Sequence, residues 1–361
     1  MLPYWLLFVW VAWLALSKLR PAAVAMQAGG WPLDWKLTFV VLSLMIGFRH
    51  EVGGDWSNYL GNLDEAASQT LWEAMLLKGE PGFGLLSWIA THWGGGLYLV
   101  NTVCAALFSW GLIVFCRNQP RPWLALVVAV PYLVTVVAMG YTRQGLAIGI
   151  AMVGLIALTE GKTLRFLILI AVAASFHLSV VVLVPMAALT NSKRPLLTAL
   201  SVVAFSVALY LLLLQEIVNT LIANYLTDEM ESSGAAIRVT MNALPALLFL
   251  LFRKSFNLTA TQRTFWSWMS LAALLFVPLL VVSPSSTAVD RIALYWIPIQ
   301  LFVWSRLPDA LGRPGGRNAT EVCAITLYSA ATLFVWLVFA TYSYLWLPYK
   351  FYPWEAFRAA L

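Results

Sequence analysis

Residues 48–59, which read FRHEVGGDWSNY, place four ionisable side chains directly after an apolar run. Arg49 and His50 can carry positive charge, and Glu51 and Asp55 carry negative charge at neutral pH. Charge at a membrane boundary costs free energy, so its retention there predicts a functional site. Either carboxylate could take the proton of an attacking hydroxyl as a general base, and the sequence leaves open which of them does so.

The two glycines that follow Glu51 and Val52 allow a tight turn, which could bring the acids back over a cavity. The simpler alternative is that Glu51 or Asp55 only balances the charge of Arg49. His50 and Tyr59 are expected to support whichever site this segment forms.

Arginines stand at the ends of four apolar runs: Arg49, Arg143, Arg238 and Arg291. A guanidinium group stays charged and can bind phosphate oxygens through two parallel hydrogen bonds. Arg49, Arg143 and Arg291 are therefore predicted to hold a diphosphate, with Gln144 as a supporting residue. The alternative is that each arginine only extends its side chain to the membrane interface.

A second acid–base pair, Asp290 and Arg291, follows the helix-breaking sequence SPSS. One interpretation directs Arg291 into a cavity, with Asp290 beside it and Tyr295 one helical turn further on. The other is a local ion pair between Asp290 and Arg291 at a helix start.

His177 is isolated in the apolar run 166–190, within the sequence SFHLS. A lone histidine in such a run is usually a packing residue. If the run folds back as a re-entrant hairpin, however, His177 lies at a tip that must meet water or substrate, because irregular backbone in a membrane is tolerated only against protein or a cavity. Both interpretations remain open.

The composition is that of a polytopic membrane protein. Hydrophobic residues make up 61% of the 361 residues, charged residues only 11%, and the mean hydropathy is +0.81. The net charge of +6 follows from basic loops on the inner side of a membrane, so no nucleic-acid partner is expected. The three cysteines form no CxxC or Cys/His spacing, and no spacing of ligands demands a metal.

Apolar runs predict about ten transmembrane helices, and the first of them, 2–16, is predicted to be retained with its N-terminus outside because Lys18 and Arg20 follow it. The other runs lie near 37–48, 97–115, 123–140, 144–158, 166–190, 196–214, 239–252, 266–282, 289–304 and 320–341. Treating 166–190 as a re-entrant hairpin puts fifteen of the 22 Lys and Arg residues inside and twelve of the 16 acids outside. This topology satisfies the positive-inside rule better than a single crossing does.

The chain is predicted to be one transmembrane domain, 1–361, with outer polar segments 49–96 and 215–238 and no internal repeat. The stretch that opens with Glu80-Pro81-Gly82-Phe83 and ends at His92-Trp93 is amphipathic and predicts a helix at the membrane interface.

Six short motifs, in this order along the chain, resemble the EpsG family of Wzy-like bacterial polysaccharide polymerases. They are the first loop VGGDWSNY, EPGF from Glu80, RQGLA from Arg143, FHLS around His177, DRIALY from Asp290, and the tail WLPYKF. Trp56 stands where the family usually shows tyrosine. The resemblance covers nearly the whole chain, and its specificity comes from the joint order of the motifs.

The resemblance implies an all-α architecture similar to lipid-dependent, GT-C-like glycosyltransferases, in the bacterial inner membrane with the active site facing outward. It implies that polyprenyl-diphosphate-linked oligosaccharides are donor and acceptor, and that polyprenyl diphosphate leaves. No nucleotide sugar or other cofactor is expected. Membrane lipids, flippase proteins and chain-length regulators are the candidate partners.

Within that resemblance, Arg49, Arg143 and Arg291 would hold the diphosphate, Asp55 or Glu51 would be the base, and His177 would support acceptor or phosphate. The alternatives are a flippase or other transporter of lipid-linked oligosaccharide, and a non-catalytic partner in a secretion complex. A transporter would be expected to carry polar residues along its whole path and often an internal repeat.

Overall fold

A computed structural model describes residues 1–22, 30–76, 79–190, 234–283 and 285–359. These residues are helical almost throughout, and their only β-type pairing is a single antiparallel bridge between Arg49 and Phe351. The all-α prediction is therefore confirmed for the part of the chain described.

The helices are numbered in chain order. They are α1 (Leu2–Ser17), α2 (Leu33–Gly47), α3 (Trp56–Ala67), α4 (Leu71–Leu76), α5 (Pro81–His92), α6 (Gly96–Arg117), α7 (Pro122–Ala129), α8 (Thr142–Thr159), α9 (Thr163–Ala174), α10 (Pro185–Thr190), α11 (Ala235–Phe252), α12 (Ala260–Val282), α13 (Ser286–Ala293), α14 (Pro298–Leu311), α15 (Ala319–Phe339) and α16 (Tyr352–Ala359). A π-helical segment, Val130–Ala138, continues α7, and a 3-10 segment, Leu178–Leu183, precedes α10.

Proline and hydroxyl side chains set several helix starts. Proline stands in the first turn of α1, α5, α7 and α14, where its missing N–H costs nothing. Thr259 and Gln262 form a reciprocal capping box at the start of α12, and Ser285 accepts from Ala288 N at the start of α13. The helix predicted between Glu80 and Trp93 is confirmed as α5, while its position at the membrane interface remains a prediction.

Among the described residues, five helices are long and apolar enough to cross a membrane: α6, α8, α11, α12 and α15. Four other apolar helical stretches, at 2–17, 122–138, 163–174 and 178–189, are shorter. The total of about ten spans remains a prediction. The predicted run 196–214, and most of the predicted outer segment 215–238, lie outside the described residues.

The helix within the run 166–190 breaks where the sequence predicts a tip. Helix α9 ends at Ala174, His177 has an extended backbone, and a 3-10 turn follows. A twelve-residue helix rises about 18 Å, well short of a bilayer core of about 30 Å. The break is confirmed, while the re-entrant path through a membrane remains a prediction.

Polar contacts define two ends of the helical bundle. One end carries the Arg238–Asp290 ion pair, the start of α8 and Arg291, and we call it the site end. Helix α11 leads from there to Phe249, which packs on Phe302 of α14. The opposite end carries Arg121 paired with Asp309, and Arg306 bonded to Gln119. The basic loop after α14 therefore lies far from the site end.

The C-terminal tail, residues 340–359, packs against the bundle through Trp346. Its indole, 2% exposed, donates to Thr135 O at 2.8 Å, a carbonyl in the π-helical segment, and its own carbonyl accepts from Tyr4 OH at 2.8 Å. Gly140 makes room for the ring, since a Cβ there would lie 2.3 Å from Trp346 Cζ2. Three distant segments thus meet at one residue.

The same tail holds the polar loop of residues 48–55 in place. His50 N donates to Lys350 O at 3.0 Å, Gly53 N to Leu345 O at 2.9 Å, and Tyr352 N to Phe48 O at 2.8 Å. Gly53 has φ of 102°, and a Cβ there would lie 2.3 Å from Met139 O. The loop is therefore clamped between the tail and the segment before α8.

We expect Gly140→Ala to lower the melting temperature of the purified protein, because a methyl group would displace the rigid ring of Trp346. Overpacking of this kind costs about 1–3 kcal/mol. Gly61→Ala in α3 is the matched control, since nothing lies within 4 Å of a Cβ there. Equal melting temperatures for the two variants would contradict the role given to Trp346.

Candidate active site

A carboxylate at the site end joins two of the predicted site residues. Glu80 accepts from Arg143 Nη1 at 2.6 Å through Oε2, and its Oε1 lies 2.8 Å from His177 Nδ1. The Leu178 N–H lies 3.4 Å from the same Oε1. Glu80 is 6% exposed, while Arg143 and His177 are half-buried. The side chains of Glu80, Arg143 and His177 form one cluster, which we call the Glu80 cluster.

Three separate elements supply this cluster. Arg143 lies in the first turn of α8, Glu80 directly precedes α5, and His177 follows α9. The start of α5 is fixed to the turn after α9 because Gly82 N donates to Ser175 O at 2.8 Å. A Cβ on Gly82 would lie 2.5 Å from Ser175 Oγ, so the glycine permits this approach.

Burial and charge act in opposite directions on Glu80. Burial alone would raise the pKa of its carboxyl, but the hydrogen bond and charge of His177, with the charge of Arg143, lower that pKa overall. Glu80 is therefore an anion at neutral pH that orients both partners.

Aromatic rings flank the guanidinium of Arg143. Its central carbon lies 5.2 Å from the centre of the Phe83 ring and 5.8 Å from that of Tyr59. Tyr59 is buried, and its hydroxyl accepts from Arg143 N at 3.4 Å. Cation–π contacts of this kind hold an arginine without neutralising it.

Arg291 forms a second centre beside the Glu80 cluster. Its guanidinium lies 4.4 Å from the centre of the Tyr141 ring, and no carboxylate among the described residues pairs with it. Gln144 Nε2 donates to Arg291 O at 2.7 Å, while Gln144 Oε1 is buried and finds no partner within the described ranges. Arg291 is half-buried and keeps its charge available.

Asp290 pairs with Arg238 and not with its neighbour Arg291. Its two carboxylate oxygens accept from Arg238 Nε and Nη2, each at 2.7 Å. The interpretation of a local Asp290–Arg291 pair is therefore wrong. Tyr295 is 1% exposed and lies in the 3-10 turn after α13.

Arg49 lies inside the protein, and not on a surface that a diphosphate could reach. It is 1% exposed and donates to Ile46 O at 2.6 Å, Val52 O at 3.1 Å, Thr142 Oγ1 at 2.6 Å and Asn101 Oδ1 at 3.3 Å. Burial lowers the pKa of Arg49 to about 10, so the group stays charged at neutral pH. It fixes Thr142, directly before Arg143.

Glu51 and Asp55, the two predicted bases, have different surroundings in the structure. Glu51 is exposed and pairs with Lys350, whose hydrogen bond lowers the pKa of the Glu51 carboxyl. Asp55 is half-exposed and forms no ion pair with another described residue. Burial raises the pKa of Tyr59 and of Tyr141, and the negative charge of Asp55 acts in the same direction.

His50 belongs to a group of aromatic side chains next to the polar loop. Its Nδ1 contacts Tyr98 OH, and its ring lies 5.8 Å from that of Trp56 and 6.1 Å from that of Tyr352. Tyr98 and Tyr352 stack at 3.7 Å. None of these side chains is fully buried, so their faces and edges are partly accessible.

Within the described ranges, no group of three or more His, Cys, Asp or Glu side chains could hold a metal ion. Glu80 is a site residue that the sequence did not predict, although its EPGF motif is part of the family resemblance. The available signal was a carboxylate placed directly before Pro-Gly at a helix start.

The fold and these contacts define a multi-pass helical membrane protein with an arginine-rich polar site at one end of the bundle. The sequence profile of the EpsG family matches residues 35–351, and the chain belongs to that family of Wzy-like polymerases. No curated protein and no solved structure matches the chain in the same comparisons. The similarity to GT-C-like glycosyltransferases therefore remains a prediction.

We expect Glu80→Gln to lower the melting temperature more than Glu51→Gln does. Removing one partner of a buried pair costs about 3–5 kcal/mol, whereas an exposed pair such as Glu51–Lys350 contributes about 1 kcal/mol or less. Because the folded-state pKa of Glu80 is lowered, its stabilisation is complete above the ordinary value of 4.5 and is lost as the pH falls through the lower value.

The melting temperature of the wild type should accordingly fall below pH 4.5, and that of Glu80→Gln should fall less. Differential scanning fluorimetry from about pH 3 to about pH 7, in one detergent, measures both effects. Parallel curves for the two proteins would exclude Glu80 as the titrating group.

Proposed function

We propose that the protein joins polyprenyl-diphosphate-linked oligosaccharide repeat units into a polysaccharide, with release of polyprenyl diphosphate. The observation that carries this proposal is that the Glu80 cluster and Arg291 lie, with the loop that contains Asp55, at one end of an apolar helical bundle. Purified protein given such repeat units should produce a ladder of products on a gel. Folded protein that makes no ladder from authentic substrate would sink the proposal.

The donor diphosphate lies between the two arginine centres. Arg291 has no described carboxylate to neutralise it, and aromatic rings flank Arg143 beside its single carboxylate partner. Two cations in a partly buried site bind an anion more strongly than they would in water, and they stabilise the charge that grows on a leaving diphosphate. Arg238 is paired with Asp290, the residue that precedes Arg291 in the chain.

The reaction is one substitution at the anomeric carbon of the donor. The oxygen of an acceptor hydroxyl forms a bond to that carbon, and the bond from the carbon to the diphosphate oxygen breaks. The electron pair of the broken bond leaves with polyprenyl diphosphate, and the hydroxyl proton passes to Asp55. Asp55 suits this role because it is half-exposed and forms no ion pair with a described residue, whereas Glu51 is paired with Lys350.

His177 contributes through its second ring nitrogen. With Nδ1 directed at Glu80, Nε2 points away from that carboxylate and has no hydrogen-bond partner in the described part of the chain. A carboxylate that holds one ring nitrogen fixes the orientation of the other. His177 Nε2 then donates to a phosphate oxygen or orients the acceptor hydroxyl.

Arg49 acts as a support for this site and not as a direct ligand of the diphosphate. Its four hydrogen bonds join the end of α2, the polar loop, α6 and the start of α8.

The aromatic group of His50, Trp56, Tyr98 and Tyr352 offers ring faces to the sugars, since pyranose rings pack their C–H faces on aromatic rings.

Several wider features belong to the same proposal. The chain acts as one transmembrane domain in the bacterial inner membrane, with about ten spans, the hairpin near 166–190 and the site end facing outward. A flippase supplies the lipid-linked units, and a chain-length regulator limits the product.

The competing function is transport of lipid-linked oligosaccharide, and flipping in liposomes without ladder formation would favour it.

Asp55→Asn should lower the kcat of polymerisation by about 100-fold to 10 000-fold and leave the KM near that of the wild type, as expected for loss of a general base. Glu51→Gln removes the same charge from the same loop and should retain most activity. Gel-based rates over a range of substrate concentrations measure both constants. The reverse order of effects would assign the base to Glu51.

Arg291→Gln should lower kcat/KM by about 10-fold to 100-fold, because a hydrogen bond to a charged group is worth about 1.5–3 kcal/mol. Arg313→Gln, an exposed change of the same charge at the opposite end, is the control. If both variants kept wild-type kcat/KM with intact folding, Arg291 would not contact the diphosphate.

A further inference from the structure

A cavity of about 230 Å³ opens at the opposite end of the bundle, far from the Glu80 cluster. It lies where the end of α1, the start of α2, the end of α6 and the start of α7 come together. Four basic side chains and one acidic side chain line it: Lys18, Arg20, Arg117, Arg121 and Asp34. Basic side chains thus dominate the charge of the cavity.

The walls of the cavity are built from fixed groups. The rings of Trp35 and Trp123 stack at 3.8 Å, and Lys18 Nζ lies 5.3 Å from the centre of the Trp123 ring. Arg121 is 3% exposed and is held by Asp309 at 2.8 and 3.0 Å and by the backbone carbonyl of Gly316 at 2.8 Å. The positive charge of Arg121 is therefore positioned before any ligand binds.

The balance of charge favours an anion. Lys18 pairs with Asp34, and Asp309 binds Arg121 from outside the cavity, so four cations face two carboxylates.

The cavity is also partly apolar and adjoins apolar helix surface. Ala15, Leu124 and Val322 line it. On the neighbouring turns of α1, Trp13 and Leu16 are exposed, as expected for a surface in contact with acyl chains. A ligand that fits both parts carries a phosphate on an acyl-chain-bearing backbone.

We propose that this cavity binds the phosphate headgroup of an anionic membrane phospholipid. Basic pockets between transmembrane helices bind such headgroups through charge and hydrogen bonds. The site is independent of the proposed polymerase activity, because its residues lie at the other end of the bundle. Bound lipid would tie α1, α2 and α7 together where their ends meet.

Native mass spectrometry of purified protein titrated with phosphatidylglycerol tests this proposal. The wild type should bind one molecule tightly, and phosphatidylcholine should bind at least about 10-fold more weakly. The double variant Arg20→Gln/Arg117→Gln should weaken phosphatidylglycerol binding by about 10-fold or more, since each basic residue contributes about 1 kcal/mol. Arg313→Gln, an exposed arginine of the same end outside the cavity, should bind like the wild type.

The single variant Arg20→Gln changes an exposed residue, so it tests the cavity even if the double variant fails to fold. It should weaken phosphatidylglycerol binding by about 5-fold. Equal affinity for the two lipids, or unchanged binding by both variants, would overturn the proposal. Displacement of phosphatidylglycerol by millimolar inorganic phosphate would assign the cavity to a soluble phosphate and overturn the lipid assignment.

Discussion

The guanidinium of Arg49 donates hydrogen bonds to oxygens from four parts of the chain while remaining almost completely buried. A buried cation is tolerated only when its donors are satisfied, and here every described acceptor is a neutral oxygen. The end of α2, the polar loop, α6 and α8 must therefore keep their relative positions for this charge to stay buried. Because Thr142 is one of the acceptors, the same constraint sets where Arg143 begins its helix.

The arginines of the site end differ in how far their charges are neutralised. Arg238 is fully matched by Asp290, and Arg143 shares Glu80 with His177. Arg291 has an aromatic ring as its partner among the described residues. In the proposed reaction, this gradient would direct the donor diphosphate toward Arg291 and Arg143, while Arg238 and Arg49 position the elements that carry them. Glu80 binds Arg143 through Oε2 and His177 through Oε1, so each partner has its own carboxylate oxygen.

Local pattern predicted the elements well and the partners poorly. The start of α8 just before Arg143 and the break at His177 follow from runs of apolar residues interrupted by polar ones. The pairing of Asp290 with Arg238 joins residues 52 positions apart, and Glu80 meets His177 across 97. No periodicity encodes such contacts. The burial of Arg49 was equally hidden, because backbone carbonyls are acceptors that every sequence possesses.

The C-terminal tail sets the state of the polar loop near the start of the chain. Lys350 engages Glu51, and the neighbouring backbone of the tail bonds to His50, so the tail both holds the loop and neutralises one of its acids. Asp55, four residues further on, is half-exposed and forms no ion pair with a described residue. The loop contains two carboxylates of similar intrinsic basicity, and their different surroundings give them different chemistry. Under the proposed function, a segment near the end of the sequence thereby leaves Asp55, and not Glu51, as the general base.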